Sequence, residues 1–160
     1  IREIHMGYPL LSTQADIEAV SRAVLANIPK ERSKDEAVVL MGHGTHHPAN
    51  AFYAALMFNL QLKDPHIFVG TVEGWPEVDE IQEMLEGKGI EKAYLMPFMS
   101  VAGDHAKNDM AGKGSDSWKS VLTAEGITCV PILKGTGEYD NMVSIWVDHL
   151  KTAMAHLEEK

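Results

Sequence analysis

The chain has a single cysteine and few basic residues, and both shortages exclude whole classes of protein. With Cys129 alone, neither an intrachain disulfide nor a metal site built of thiolates can form. Lysine and arginine number 14 against 23 acidic residues, which gives a formal net charge of −9. Nucleic acids and anionic membranes are bound through a basic face, so we expect neither as a partner.

The sequence also lacks an apolar run of transmembrane length, and no signal peptide is visible. We therefore expect a cytoplasmic protein, or a periplasmic one if an export signal has been removed. The chain begins with Ile1 rather than Met, which indicates a processed product or a fragment. Its 160 residues are enough for one domain with a proper core.

Four short apolar runs are spaced along the chain, with amphipathic segments between them. The runs are rich in β-branched and large apolar residues and are bounded by Gly, Pro or Asp, which indicates buried strands. The predicted strands are 37–41, 66–70, 92–96 and 127–133. The predicted helices are 50–62, 76–85, 115–124 and 140–157. This alternation predicts an α/β fold, a four-stranded parallel sheet flanked by helices, for which we expect the flavodoxin-like order 2-1-3-4.

Details of three helices follow from the same pattern. Pro76 is expected in the first turn of its helix, and Ser115 or Asp116 is expected to cap the next helix. In the last helix, one apolar stripe is expected to face the core. Its members are Val143, Val147, Leu150, Met154 and Leu157.

Residues 1–36 do not follow the alternation of strand and helix. A helix is predicted from about Thr13 to Asn27. The segment 9–17 loosely resembles 131–142, since each has a strand end, a polar loop, an aspartate and an amphipathic helix. We predict that residues 1–29 are the last strand–helix unit of a mostly absent first lobe, although an ordinary amino-terminal helix explains the pattern equally well. Residues 30–36 are predicted to be a charged linker, and residues 37–160 a carboxy-terminal α/β lobe.

Three side chains that can bind metals follow the predicted strands. His43 comes after the first strand, between two glycines that leave the imidazole uncovered. Glu73 comes after the second strand, where it could bind a metal, accept a proton or cap the next helix. His105 follows the third strand in a polar loop, where Asp104 or Asp109 could orient its ring.

The expected strand order brings these side chains together. The first and third strands are neighbours where the strand order reverses, so His43 and His105 face each other with Glu73 beside them. Two imidazoles and a carboxylate suit a first-row divalent metal such as cobalt, nickel, iron or zinc. His46 and His47 are expected to be solvated instead.

Apolar residues close to these positions indicate a second feature of the site. Phe98, Met99 and Val101 are unusual in a loop, and together with Trp75 they would suit a flat apolar ligand, although each could instead close the core. Residues 134–138 contain two glycines and are predicted to be a flexible lip of the same cleft.

Three motifs together resemble a known family. They are Gly42-His43-Gly44, Thr71-Val72-Glu73-Gly74 and Gly103-Asp104-His105-Ala106-x-Asn108-Asp109. In this order they look like the anaerobic cobaltochelatases of cobalamin synthesis, class II chelatases that are similar in fold to protoporphyrin ferrochelatase. The resemblance covers most of residues 1–157 and implies one lobe of a bilobed fold, with tetrapyrrole and metal between the lobes.

The resemblance also implies a function and a set of site residues. His43, Glu73 and His105 are expected to bind the metal and to be catalytic, with cobalt(II) as the substrate metal and no organic cofactor. The expected tetrapyrrole is sirohydrochlorin or its oxidised form. Residues expected to contact it are Gly44, Thr45, Trp75, Phe98, Met99, Val101 and Asp104. The first lobe is expected from a missing segment or a second chain, and a homo-oligomer is a further expectation.

Other functions stay open at this point. The chain could be a metal- or tetrapyrrole-binding module without catalysis, or a ferrochelatase of sirohaem or haem synthesis. A histidine phosphatase is disfavoured, because those enzymes have Arg before the His-Gly pair and Gly42 stands here. A short chelatase that dimerises to rebuild the cleft is a further alternative, against which the extra residues 1–29 argue.

Overall fold

The computed structural model describes residues 4–158 and contains one sheet of four parallel strands. The strands are β1 (Ala37–Gly42), β2 (Ile67–Thr71), β3 (Lys92–Phe98) and β4 (Thr128–Pro131). They lie in the order β2-β1-β3-β4, and every neighbouring pair is parallel. The predicted fold class and strand order are therefore confirmed.

Helices cover both faces of the sheet, as a buried parallel sheet requires. The helices are α1 (Gln14–Asn27), α2 (Ala51–Gln61), α3 (Val78–Glu86), α4 (Trp118–Ala124) and α5 (Asp140–Glu158). Side chains of α1, α2 and α5 share one apolar cluster with one face of the strands. Those of α3 and α4 share a second cluster with the other face. None of the helices within residues 4–158 is long and apolar enough to cross a membrane.

Strand residues alternate between the two apolar clusters, because successive side chains of a strand point to opposite faces. In β1, Val39 and Met41 belong to the cluster of α3 and α4, whereas Val38 and Leu40 belong to the other. Every residue of β1 is buried, which accounts for its uninterrupted apolar sequence. The three-layer arrangement leaves the carboxyl ends of β1, β2 and β3 at one edge of the molecule.

The starts of two helices differ from the prediction. Pro76 is not in α3, because its carbonyl accepts hydrogen bonds from the backbone and side chain of Thr71 and so belongs to the preceding loop. The helix begins at Val78, and the Glu80 side chain accepts a hydrogen bond from the amide of Glu77. For α4 the cap is Ser117, whose hydroxyl accepts from the Ser120 amide, rather than Ser115 or Asp116.

The apolar stripe predicted for α5 is wrong. Val147, Leu150 and Met154 are 40 to 54% exposed. Met142 and Ala153 are buried instead, and the Leu157 side chain lies outside the described residues. The face of α5 that points inward is set by its packing against α1. The spacing of apolar residues within α5 alone does not reveal this packing.

Residues 4–36 are in close contact with the rest of the domain. Residues 4–12 form neither helix nor strand, and α1 contributes Val20 and Val24 to the same core as the sheet. In the predicted linker, Arg32 binds the Asp64 carboxylate and the Lys34 carbonyl lies 2.7 Å from a ring nitrogen of His66. Residues 1–3 lie outside the described part, and the division into an end of a first lobe, a linker and a second lobe stays a prediction.

Candidate metal centre

The carboxyl ends of three neighbouring strands bring His43, Glu73 and His105 together. Gly42 at the end of β1 pairs with Thr71 of β2 and with Phe98 of β3, so the loops that follow leave the sheet at the same height. One ligand atom of each of the three side chains lies within 4.8 Å of the others. The imidazole rings of the two histidines are perpendicular, with centroids 4.9 Å apart. One ion could therefore contact all three side chains.

The imidazole of His105 is oriented by Asp109. His105 caps a short π-helical segment, Ala106–Met110, and its Nδ1 lies 2.5 Å from Oδ2 of Asp109 in that segment. A carboxylate accepts hydrogen bonds, so Nδ1 carries the proton and Nε2 presents a lone pair to a metal. Asp104, the other carboxylate considered, accepts instead from the side-chain amide of Asn108 at 2.7 Å. Of the two, the structure therefore assigns the orienting contact to Asp109.

His43 and Glu73 are joined through both backbone and side chain. The amide of Glu73 donates to the carbonyl of His43 at 2.8 Å. Nδ1 of His43 lies 3.2 Å from the Gly44 carbonyl and 3.8 Å from Oε2 of Glu73. The side chains of His43 and Glu73 are 48 and 55% exposed, so an ion can reach them from solvent. Capping of α3 involves Glu77 and Glu80, which leaves the Glu73 carboxylate available.

A cleft of about 710 Å³ opens beside the two histidines of the cluster, whereas Glu73 does not line it. His43 and His105 line it, and so do five of the residues predicted to contact a tetrapyrrole. These are Thr45, Phe98, Met99, Val101 and Asp104. Phe98 is the last residue of β3 and only 8% exposed, so it closes the core as well as the floor of the cleft, and its assignment to a loop was wrong.

Two predicted contact residues do not line the cleft. Trp75 is 60% exposed outside it. Gly44 is buried behind His43 with a φ of +81°, and a Cβ there would lie 2.6 Å from Cβ of Thr71. This glycine permits a left-handed turn and a close approach of two loops, which are backbone roles.

The wall opposite β3 was not foreseen from the sequence. It is formed by the segment before α1, by the short helix before α2, by α2 and by α5. The residues are Pro9, Leu10, Leu11, Ser12, Ala49, Phe52, Tyr53 and Trp146. Phe52 had the spacing of a core residue, and residues 9–12 precede the lobe that the motifs defined. No local signal in the sequence connects them to His43 or His105.

The loop 134–138 borders the cleft, as predicted, and it is packed onto the end of β3 and the residues that follow. The amide of Thr136 donates to the Met99 carbonyl at 2.7 Å, and that of Gly137 donates to the Ser100 carbonyl at 2.9 Å. A Cβ on Gly135 would lie 2.6 Å from the carbonyl oxygen of Ser100. The glycines therefore allow tight packing onto the Met99–Ser100 wall, and Thr136 reaches the cleft.

His46 and His47 are exposed, as the sequence indicated, and neither belongs to the three-residue cluster. Nδ1 of His47 accepts a hydrogen bond from the Ala49 amide and so caps the short helix before α2. His46 is therefore an exposed histidine, close to His43 in sequence, that does not belong to the cluster.

Comparisons with known proteins indicate the family of the chain. The family model for cobalt chelatase (CbiK) matches residues 1–155. The chain is 46% identical over 154 residues to the sirohydrochlorin cobaltochelatase CbiKC of Nitratidesulfovibrio vulgaris, covering 96% of this chain and 55% of the relative. It is 42% identical over 149 residues to the sirohydrochlorin cobaltochelatase of Salmonella typhimurium, covering 93% and 56%. The chain thus spans about half the length of these curated relatives.

Among solved structures, the chain is similar to DR2241 of Deinococcus radiodurans, described as a multi-domain protein with structural similarity to chelatases. The TM-score is 0.50 at 13% identity, covering 82% of this chain and 28% of that one, and at this identity the likeness concerns the fold alone. The motifs, the converging side chains and the match of the family model over nearly the whole chain lead to one conclusion. The chain belongs to the cobalt chelatase (CbiK) family.

Proposed function

We propose that the protein inserts cobalt(II) into a sirohydrochlorin-type tetrapyrrole in cobalamin biosynthesis. The observation that carries the proposal is the cluster of His43, Glu73 and His105, with ligand atoms within 4.8 Å of one another, at the edge of a largely apolar cleft. Two relatives that share more than 40% of its residues are named sirohydrochlorin cobaltochelatases, which supports both the metal and the macrocycle.

The metal would be captured by replacement of its water ligands. Nε2 of His105 is available because Asp109 holds the proton on Nδ1. His43 supplies a second imidazole and Glu73 a carboxylate, a set of neutral and anionic donors that cobalt(II) accepts. The half-exposed side chains of His43 and Glu73 can take the ion from solvent without a large change of the fold.

Insertion must remove two pyrrole protons from the macrocycle as the ion enters it. An imidazole that hands over the ion regains a free lone pair and can accept one of these protons. Glu73 lies within 3.8 Å of His43 and is 55% exposed, so its carboxylate can accept a proton and pass it to water. One macrocycle thus loses two protons and gains one divalent ion, and no oxidant or reductant is needed.

The cleft would hold the flat face of the macrocycle against the metal centre. Tyr53 and Phe98 lie edge to face at 6.3 Å and form an aromatic floor beside His43. Met99 and Val101 extend this apolar surface, and Val101 is 69% exposed and can contact a ring that covers it. Thr45, Asp104 and Thr136 are polar groups at the margin, available to the polar substituents of the ring.

The remaining wall of a closed cleft is proposed to come from outside the chain. The relatives are nearly twice as long as the matched region, and a family member of that length has room for a further lobe. We accordingly propose that residues 1–29 complete that other lobe and that residues 37–160 form the metal-binding lobe. A second chain or a homo-oligomer would supply the wall in the same way. We propose the cytoplasm as the place of action, where a biosynthetic intermediate is made and consumed.

The proposal is tested by following cobalt insertion into sirohydrochlorin by absorption, without oxygen, in the intact protein. His43→Ala and His105→Ala should each lower the insertion rate by about 100-fold or more, since each removes a metal ligand and a proton acceptor. His46→Ala is the matched control and should retain the parent rate, because its side chain is exposed outside the cluster.

Three outcomes would contradict the proposal in different ways. Undiminished insertion by both cluster variants would remove the site assignment. Tight binding of cobalt or tetrapyrrole with no accelerated insertion would indicate a binding module. Faster insertion of iron than of cobalt would indicate a ferrochelatase of sirohaem synthesis.

A further inference from the structure

The loops that carry His43 and Glu73 turn away from the sheet directly beyond these residues. Backbone hydrogen bonds continue past the strand ends, with the Val72 amide bonded to the Gly42 carbonyl at 3.1 Å and the Glu73 amide bonded to the His43 carbonyl at 2.8 Å. After Glu73 the chain runs through residues 74–76 into α3, and after His43 it runs through residues 44–50 into α2. Strand pairing alone therefore does not fix the two side chains relative to each other.

Beyond the backbone hydrogen bond between Glu73 and His43, the side-chain amide of Asn50 also joins the two loops. Oδ1 of Asn50 accepts from the Thr45 amide at 3.1 Å, and Nδ2 of Asn50 donates to the Trp75 carbonyl at 2.6 Å. An amide N–H can only donate and a carbonyl can only accept, so only this orientation of the Asn50 side chain satisfies both partners. The bridge therefore connects Thr45, two residues after His43, to Trp75, two residues after Glu73.

Two glycines, Gly44 and Gly74, lie so close to this bridge that neither position has room for a side chain. A Cβ on Gly74 would overlap Oδ1 of Asn50, and a Cβ on Gly44 would lie 2.7 Å from the Gly74 amide nitrogen. Glycine at both positions lets the loops approach until the Asn50 amide reaches both of them. The sequence motifs Gly42-His43-Gly44 and Glu73-Gly74 therefore fit around Asn50.

We propose that Asn50 is a positioning residue, which fixes the distance between His43 and Glu73 and so determines the affinity of the site for cobalt(II). This inference rests on the proposed function and names a residue that does not itself contact the ion. Partners outside the ligand set that hold ligands in place typically contribute about 10-fold to 100-fold in metal affinity. Loss of the bridge removes the hydrogen bonds that connect Thr45 to Trp75 and leaves the backbone bond between Glu73 and His43 in place.

The test is a titration with cobalt(II) alone, followed through the visible absorption of the bound ion, in the intact protein. Asn50→Ala should raise the Kd about 10-fold and alter the absorption band, since the carboxylate and the imidazole no longer meet at one position. Asn141→Ala is the matched control, because Asn141 also bridges two segments but far from the cluster. It lies on α5 and binds the side chain of Asn27 and the Ala23 carbonyl of α1. It should leave the Kd and the absorption band unchanged.

A double-mutant cycle separates positioning from a general loss of stability. If Asn50 acts by placing Glu73, then Asn50→Ala should have little further effect on the Kd in a Glu73→Gln background. Additive effects of the two substitutions would overturn the inference, as would a parent-like Kd and absorption band for Asn50→Ala.

A second variant keeps the inference testable if Asn50→Ala does not fold. Asn50→Asp retains the acceptor for the Thr45 amide and replaces the donor to the Trp75 carbonyl with an oxygen. The added negative charge alone would tighten the binding of a cation, whereas disruption of the bridge weakens it. Weaker binding therefore supports positioning, and tighter or equal binding overturns it.

The proposed function and this inference can fail separately. If His43→Ala still binds cobalt(II) as the parent does, then the site assignment fails whatever Asn50 does. If His43→Ala loses cobalt and both Asn50 variants retain it, then only the role of Asn50 fails.

Discussion

At the residue scale, the position of the proton on the His105 ring determines which ring nitrogen is free to bind a metal. Nδ1 faces the Asp109 carboxylate at 2.5 Å, which leaves the Nε2 lone pair for the ion. His105 directly precedes the π-helical segment Ala106–Met110, which contains Asp109 and in which the Ala111 amide bonds to the Ala106 carbonyl and widens the turn. The same carboxylate also fixes the plane of the ring, so Asp109 acts on the metal through His105.

We predict that Asp109→Asn weakens cobalt(II) binding about 10-fold to 100-fold, because an amide can donate to Nδ1 and so move the imidazole proton to Nε2. Titration with cobalt(II) in the absence of tetrapyrrole measures this Kd. Asp104→Asn removes the same charge beside His105 but disturbs only the contact with Asn108, so its effect should be much smaller. Equal effects of the two variants would show that charge, and not the orientation of the ring, is responsible.

The sequence indicated some site residues and not others, for a physical reason. His43, Glu73 and His105 were found because ends of neighbouring parallel strands must lie close together. Asn50 and Tyr53 were not found, because their partners are distant in sequence and set by loop geometry. Asn50 reaches the Trp75 carbonyl across 25 residues, and no periodic pattern reports such a contact.

At the scale of elements, the start of α1 is bound to the middle of α5 and holds one wall of the cleft. Oδ2 of Asp16 accepts from the amides of Ser12 and Thr13, and Oδ1 lies 2.9 Å from Nε2 of His149. The other ring nitrogen of His149 lies 3.0 Å from the Tyr8 carbonyl. Residues 9–12, which line the cleft, are therefore held between these contacts.

These contacts make the stability of this junction dependent on pH. Burial opposes the charge of Asp16, but hydrogen bonds from His149 and Thr13 outweigh it and hold the pKa of the carboxyl below its ordinary value of 3.8. A carboxyl with a lowered pKa in the folded state stabilises the fold above its unfolded pKa. That contribution is lost as the pH falls through the folded pKa, below 3.8.

We predict that Asp16→Asn lowers the free energy of unfolding by about 1–2 kcal/mol at neutral pH, since it removes the charge from several hydrogen bonds. The difference from the parent should narrow as the pH falls below 3.8. Urea unfolding across this pH range measures both effects. Asp148→Asn, an exposed carboxylate paired with Lys151 on α5, should change stability by less than about 0.5 kcal/mol. If Asp16→Asn lowers the free energy of unfolding by the same amount at every pH, then the ionisation of Asp16 does not contribute to stability as predicted.

At the scale of the whole molecule, the order of strands could be predicted and the faces of the helices could not. Buried strands of a parallel sheet have continuous apolar sequences, and right-handed connections limit their order, so β1, β2 and β3 were found nearly to the residue. The buried face of α5 depends on His149, which binds Asp16, and on the small Ala153. Such pairings form only when the whole domain is assembled.

The assembled domain exposes three potential metal ligands beside an apolar cleft. The sheet supplies two imidazoles and a carboxylate at its edge, and the helices around it supply an apolar surface. Both features follow from the fold. Polar loop residues lie at the carboxyl ends of the strands, and apolar residues of α2 and β3 extend the core to the cleft. We therefore expect one cobalt(II) ion to bind His43, Glu73 and His105 at the same time.

The most direct test of this claim is a crystal structure of the protein with cobalt(II), with the ion located by its anomalous scattering. We predict one strong peak at the ends of β1, β2 and β3, within about 2.0–2.3 Å of an imidazole nitrogen of both His43 and His105 and of a carboxylate oxygen of Glu73, as for other divalent ions with these ligands. A peak bound elsewhere, or one that contacts only a single histidine, would contradict the account.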